Sequence, residues 1–220
     1  MKKQIITAAI LFTIIPAVSM AGPLVGIGYA DIGLSGHSGR PGIGVFAGNK
    51  YHNDVIANGK ATFASGFYSM NVSIGKLIKA GGVGFEPYAS LGFLNLNYQQ
   101  QETGYHTTTT TSGGGFGYPP VTYSYTTPYS YTSPQSIQDF YGLAGANLVI
   151  PISNKVGVGI GGGFGHTLST FGGSGGSVYK GNIAAAFKVA RHITASLDVS
   201  YTHVPGASLT CYGAGLAYHF

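Results

Sequence analysis

Two histidine–serine neighbourhoods are the residues of this chain best placed to do chemistry: His166 with Ser169, and His203 with Ser208. A histidine beside a serine can take the hydroxyl proton and turn the oxygen into a nucleophile, the first half of ester or amide hydrolysis. Neither pair lies in a recognisable catalytic signature. Six acidic residues in the whole chain also argue against a protease built on carboxylates. Residues 157–162 read Gly-Val-Gly-Ile-Gly-Gly and fit a phosphate-cradling glycine pattern. That chemistry needs a helix to follow, and here more glycine and a hairpin follow. Histidines 37, 52, 106, 166, 192, 203 and 219 are scattered without metal-ligand spacing. The expectation is no catalytic residue, no metal ligand and no cofactor.

The elements that would position any site are strands. Period-two alternation recurs along the chain. It is cleanest in residues 193–203, where Ile193, Ala195, Leu197, Val199 and Tyr201 alternate with Thr194, Ser196, Asp198, Ser200 and Thr202. Residues 209–220, 179–189, 156–164, 140–150, 85–96 and 63–78 follow the same period. Residues 24–32 supply an eighth strand, with 42–60 assigned to the connection after it. Residues 42–47 are the rival for first strand. Ten strands result if the long segment at 99–138 holds a further hairpin. Connections at 79–82, 151–155 and 190–192 are short, and the ones between them are longer, as in a barrel with turns at one end and loops at the other.

Composition fits such a barrel. Charged residues are 8% of the chain, with 37 glycines and 16 tyrosines. Lys2 and Lys3 precede an apolar stretch at 5–18 that is too short to span a bilayer, and Ser19-Met20-Ala21 suits a signal peptidase. Residues 1–21 are therefore read as a signal peptide and 22–220 as the barrel. Nine basic and six acidic residues remain after cleavage, a weak excess spread along the chain, which gives no reason to expect nucleic-acid binding. Cys211 is the one cysteine, so no intramolecular disulfide forms.

The chain ends Gly213-Ala214-Gly215-Leu216-Ala217-Tyr218-His219-Phe220. Gly215, Tyr218 and Phe220 resemble the C-terminal signature of bacterial outer-membrane barrels. With the segment 191–201, they make the chain similar to the small barrels of the OmpA/OmpX-like, opacity-type porin superfamily. The resemblance implies an all-β, transmembrane, antiparallel up-and-down barrel in the Gram-negative outer membrane. It implies a closing strand read by the barrel-insertion machinery, and both termini in the periplasm. Eight strands are expected.

Within that architecture Glu86, Lys180, Lys188 and Asp198 are expected to point into the lumen. An eight-stranded lumen is narrow enough for side chains to fill. The low-complexity segment at about 99–138 is expected outside the cell, either mobile or as an extension of the strands. Its Tyr105, Tyr118, Tyr123, Tyr125, Tyr129 and Tyr131 stand among Thr, Ser, Gly and Pro, a composition suited to binding loops. The functional expectation is a monomeric, non-enzymatic surface-interaction or adhesion protein that contacts membrane lipid, lipopolysaccharide and a host or cell-surface ligand. A small porin and a lipid A-modifying enzyme are the alternatives.

Deleting Phe220, or replacing it with serine, should reduce insertion. The heat-shifted gel band of the folded barrel should weaken in outer-membrane fractions, whereas unchanged assembly would mean the terminal segment carries no such signal.

Overall fold

The computed structural model describes residues 22–34, 39–112, 121–171 and 175–220. The expected signal peptide at 1–21 lies outside them, as does Tyr118. Among the described residues there are eleven strands: β1 (Gly22–Leu34), β2 (Arg40–Lys50), β3 (Val55–Ala64), β4 (Phe67–Lys76), β5 (Ile78–Ala80), β6 (Val83–Ser112), β7 (Val121–Pro151), β8 (Val156–Phe171), β9 (Ser177–Lys188), β10 (Ile193–Val204) and β11 (Ala207–His219). One unit comprises the chain up to Leu96 and from Ile137 onward; a second comprises Asn97–Ser136.

The first unit is a closed barrel. Neighbours run β4-β3-β2-β1-β11-β10-β9-β8-β7-β6, and β6 pairs back onto β4. β1 closes on β11, with Ile27 opposite Leu216 and Tyr29 opposite Ala214. β5 continues β4 along the same partner: Gly75 lies opposite Tyr88 and Ile78 opposite Phe85. β4 and β5 thus occupy one place in the circle, and the barrel has ten strands rather than eight.

The two added strands lie in the N-terminal third and not in the long segment. Residues 24–32 and 42–47, the two rivals for first strand, both pair, as β1 and β2. The stretch at 42–60 crosses the barrel wall instead of lying in a loop. In 57–62 the faces carry Ala, Asn, Gly, Lys and Thr with little apolar contrast, so the period of β3 is faint. The segment at 63–78 is two strands, because Ser65 and Gly66 make a two-residue hairpin with Ala64 opposite Phe67. Gly66 has φ of 64° there, a left-handed conformation that glycine adopts without steric cost. The outward positions change from odd at Phe63 to even at Met70, Val72 and Ile74 across it.

Alternation then sorts the wall. Val25, Ile27, Ile43, Val45, Val72, Ile160, Ile183, Leu197, Val199 and Leu216 face outward and exposed, the pattern of a barrel set in hydrocarbon. Aromatic rings gather toward both ends. At the loop end Phe63 meets Tyr68 at 5.1 Å and Phe164 meets Tyr179 at 5.3 Å. At the turn end Tyr218 meets Phe220 at 5.1 Å. Inward positions pair large residues with glycine. Tyr141 is 1% exposed, and its ring lies where a Cβ on Gly92 would stand.

Gly92→Val should therefore destabilise the barrel by about 1–3 kcal/mol through overpacking. Gly181, where a Cβ meets nothing within 4 Å, should accept alanine with a change of roughly 0.5 kcal/mol or less. The denaturation midpoint of the heat-shifted gel band reads both.

Candidate functional site

The lumen is graded along its strands. On β9 the inward residues run Val178, Lys180, Asn182; on β10 they run Val204, Thr202, Ser200, Asp198. On β6 Leu96 and Leu94 precede Ser90 and Glu86. In each case the apolar residue lies nearer the loop end and the polar residues lie deeper. Ile32, Leu34, Leu94, Leu96, Ile137, Val178, Val204 and Leu209, none more than 6% exposed, fill the loop end.

Below that apolar plug is a polar belt. Lys180 and Asp198 are 5% and 4% exposed. Lys60, on β3, shares the interior with them, and the three charges act on one another. Asp198 attracts both lysines, which repel each other, and that attraction offsets part of the desolvation cost of burying an ion. Neither oxygen of the Asp198 carboxylate has a hydrogen-bond partner among the described residues, nor do the hydroxyls of Thr62, Ser200 and Thr202. Glu86 accepts a hydrogen bond from Asn147 Nδ2 at 3.2 Å, nearer the turn end. Lys188 lies on the same inward face of β9, half-buried and close to the rim. The sequence reading missed Lys60, because the strand that carries it was read as loop.

Of the histidine–serine pairs, one meets and one does not. His203 Nδ1 lies 2.8 Å from Ser208 Oγ, which also accepts from the Tyr201 hydroxyl at 3.1 Å. His166 Nδ1 instead faces the Thr167 carbonyl at 2.9 Å. Asp198, the acid closest to His203 in sequence, faces the lumen, whereas His203 lies on the outward side of β10 with its ring tilted against Tyr179 at 5.6 Å. Among the described residues no three His, Cys, Asp or Glu side chains form a metal-ligating group.

The second unit, Asn97–Ser136, is a two-stranded hairpin made from the far part of β6 and the near part of β7. The threonine run that composition marks as loop is strand. β-branched residues suit extended backbone, and hydroxyls pair across the strands. Thr107 meets Thr126 at 3.2 Å, Thr109 meets Ser124 at 3.2 Å, and Thr111 meets Thr122 at 3.3 Å. Tyr105 shares that face by period two.

The opposite face carries the other described tyrosines. Tyr123, Tyr125, Tyr129 and Tyr131 follow at period two, interrupted only by Thr127, and are 44–60% exposed. The Tyr129 and Tyr131 rings lie 5.8 Å apart. A Cβ on Gly104 would come within 2.6 Å of the Tyr129 ring, so that ring lies flat over the glycine. Glu102 ties the two strands: Ser133 Oγ donates to it at 2.5 Å and the Tyr131 hydroxyl at 2.7 Å. These two hydroxyls, Ser133 first, hold the Glu102 carboxyl below its ordinary range. The tie is present at neutral pH and is lost in acid, as pH falls through that lowered value.

No protein-family description matches the chain, and no curated protein does. Among solved structures it is similar to the KdgM porin, at 12% identity and a TM-score of 0.42, covering 89% of this chain and 99% of that one. It is similar to the COG4313 outer membrane channel from Pseudomonas putida F1, at 7% identity and a TM-score of 0.46, covering 96% and 100%. The attachment invasion locus protein Ail of Yersinia pestis matches at 12% identity and a TM-score of 0.36, covering 91% and 100%. Likenesses this distant say nothing of function, and the barrel rests on its own strand pairing.

With the loop end filled and charges in the belt, planar-bilayer recordings of the refolded chain should show no large, stable openings. Sustained porin-sized conductance would mean that the interior opens.

Proposed function

We propose that this chain is an outer-membrane barrel whose function lies in the hairpin Asn97–Ser136, as a non-enzymatic surface-interaction or adhesion protein. The carrying observation is the stripe of four exposed tyrosines on one face of that hairpin. Tyrosine offers a large contact area at small entropic cost, and neighbouring hydroxyls adapt their hydrogen bonds to a partner. The signal peptide at 1–21 and the Gly215, Tyr218 and Phe220 ending support delivery to the outer membrane. The turn end with both termini then faces the periplasm, and the long connections face outward.

The lumen argues against the porin alternative. Glu86, Lys180, Lys188 and Asp198 serve as a structural interior with Lys60, beneath a layer of apolar side chains. Catalysis is disfavoured because His203 and Ser208 lack an orienting acid among the described hydrogen bonds. The partner is a cell-surface ligand, host molecule or lipopolysaccharide, bound by a monomer without cofactor or nucleic acid. Between residues 97 and 136 there is one carboxylate, Glu102, and no Lys or Arg, so contact is made through rings and hydroxyls rather than through counter-charge.

Replacing residues 107–136 with a short Gly-Ser turn should leave insertion intact and abolish adhesion to cells. Serine at Tyr123, Tyr125, Tyr129 and Tyr131 should weaken it stepwise, about 1–2 kcal/mol for each ring in contact, on the order of tenfold in affinity. If the barrel inserts and every surface phenotype is unchanged, the hairpin is not the binding element.

A further inference from the structure

We propose that the turn-end rim of the barrel is a binding surface for anionic phospholipid headgroups. In sequence the cations look dispersed, but the barrel collects them. Six of the nine Lys and Arg that follow residue 21 stand at this rim: Lys50, Lys76, Lys79, Lys155, Lys188 and Arg191. Lys50, Lys76 and Lys188 are the last residues of β2, β4 and β9. Lys79 precedes the turn at Gly81-Gly82, and Lys155 and Arg191 lie in the β7–β8 and β9–β10 turns. The barrel's strand period sets this spacing, which is why no run of basic residues appears in the sequence.

Acid is scarce in the same place. Asp54 is the one acidic side chain in these turns, and it is shared between Lys50 at 2.9 Å and Lys79 at 3.4 Å. Lys76, Lys79, Lys155 and Arg191 are exposed and make the proposed contact, whereas Lys50 and Lys188, half-buried at inward positions of β2 and β9, only add to the positive field of the rim. The surface is also held in shape. The Leu77 N–H donates to the Asp54 carbonyl, Lys188 N–H to Lys155 and His219 N–H to His192, each at 2.8 Å. Three of the turns are thereby tied to a neighbouring segment, so the backbone that carries Lys155, Lys188 and Arg191 is not on loose loops.

The occupant follows from what lies beside that arc. Phe85, Phe187, Tyr218 and Phe220 face outward at the same end, and His192 stacks on Tyr218 at 5.8 Å. Rings of this kind mark the border of hydrocarbon and headgroup. Cations one step beyond them stand at the depth of lipid phosphates. An excess of positive charge there favours lipids with net negative heads over zwitterionic ones. The inference rests on the outer wall facing lipid and is independent of any ligand of the hairpin.

The test is lipid selectivity in vesicles. The chain from Gly22 onward is refolded into phosphatidylcholine with a trace of spin-labelled phosphatidylglycerol or spin-labelled phosphatidylcholine. Spectra then give the fraction of each label immobilised at the protein. The expected result is a preference of at least about twofold for phosphatidylglycerol at low salt, falling as salt rises. Lys76→Gln, Lys155→Gln and Arg191→Gln together should abolish it, and Arg40→Gln at the opposite end should leave it unchanged. Equal association of the two labels overturns the proposal. So does a preference that survives the triple substitution, or retention of soluble polyglutamate by the rim without lipid preference. The heat-shifted gel band, recorded on every sample, separates these outcomes from a failure to insert.

Discussion

A peptide group in hydrocarbon has no water to bond, so each backbone N–H and C=O that enters lipid must find its partner within the protein. A sheet meets that condition only by closing. Here closure is made twice over, by β1 against β11 and by β4 with β5 against β6. An eight-strand circle assembled without β2 and β3 would need β1 to pair with β4. Instead β1 pairs residue for residue with β2 from Gly22 to Ile32, and β2 with β3 from Gly42 to Lys50. The outward apolar face, the aromatic borders and the basic rim all follow from that circle, because it decides which side and which height each residue takes.

Closure also fixes the interior. Ten strands enclose more space than eight, and large inward side chains take it up. Tyr141 lies over Gly92, and Phe46 over Gly26. The glycine pattern at 157–162 belongs to this scheme. Its odd-numbered glycines lie on the inward face of β8, and Asn147 occupies the place of a Cβ on Gly161. Charge is the exception in a largely neutral interior, with Lys60, Lys180 and Asp198 sharing one belt. Outside that filled interior, the hairpin carries Tyr105, Tyr123, Tyr125, Tyr129 and Tyr131 exposed.

Strands with strong contrast between their faces were readable from the sequence: β10, with Leu197 and Val199 against Asp198 and Ser200, and β11 with its aromatic ending. β2 was readable only as a rival to β1, through Ile43 and Val45, and β3 was not readable, because residues such as Ala57 and Gly59 give neither face a signature. The β3–β4 hairpin was hidden by its brevity. Two residues, Ser65 and Gly66, reverse the chain, and the alternation resumes one place out of phase. Lys60 and the basic rim were lost for the same reason, since knowing where a cation sits requires knowing where strands end. Tyrosines and threonines between 97 and 136 were recognisable as a binding-type composition. Their division into two faces depends on cross-strand register, which the hydroxyl pairs and the Glu102 tie reveal.

The most direct measurement is the depth of β2. A fluorophore placed at Val45, which faces outward between Ile27 on β1 and Ala61 on β3, is read in vesicles made with brominated lipids. A ten-stranded barrel predicts strong quenching by bromine on the acyl chains and none by iodide in the water. Quenching by iodide alone would place residues 40–64 outside the bilayer and contradict the ten-strand circle.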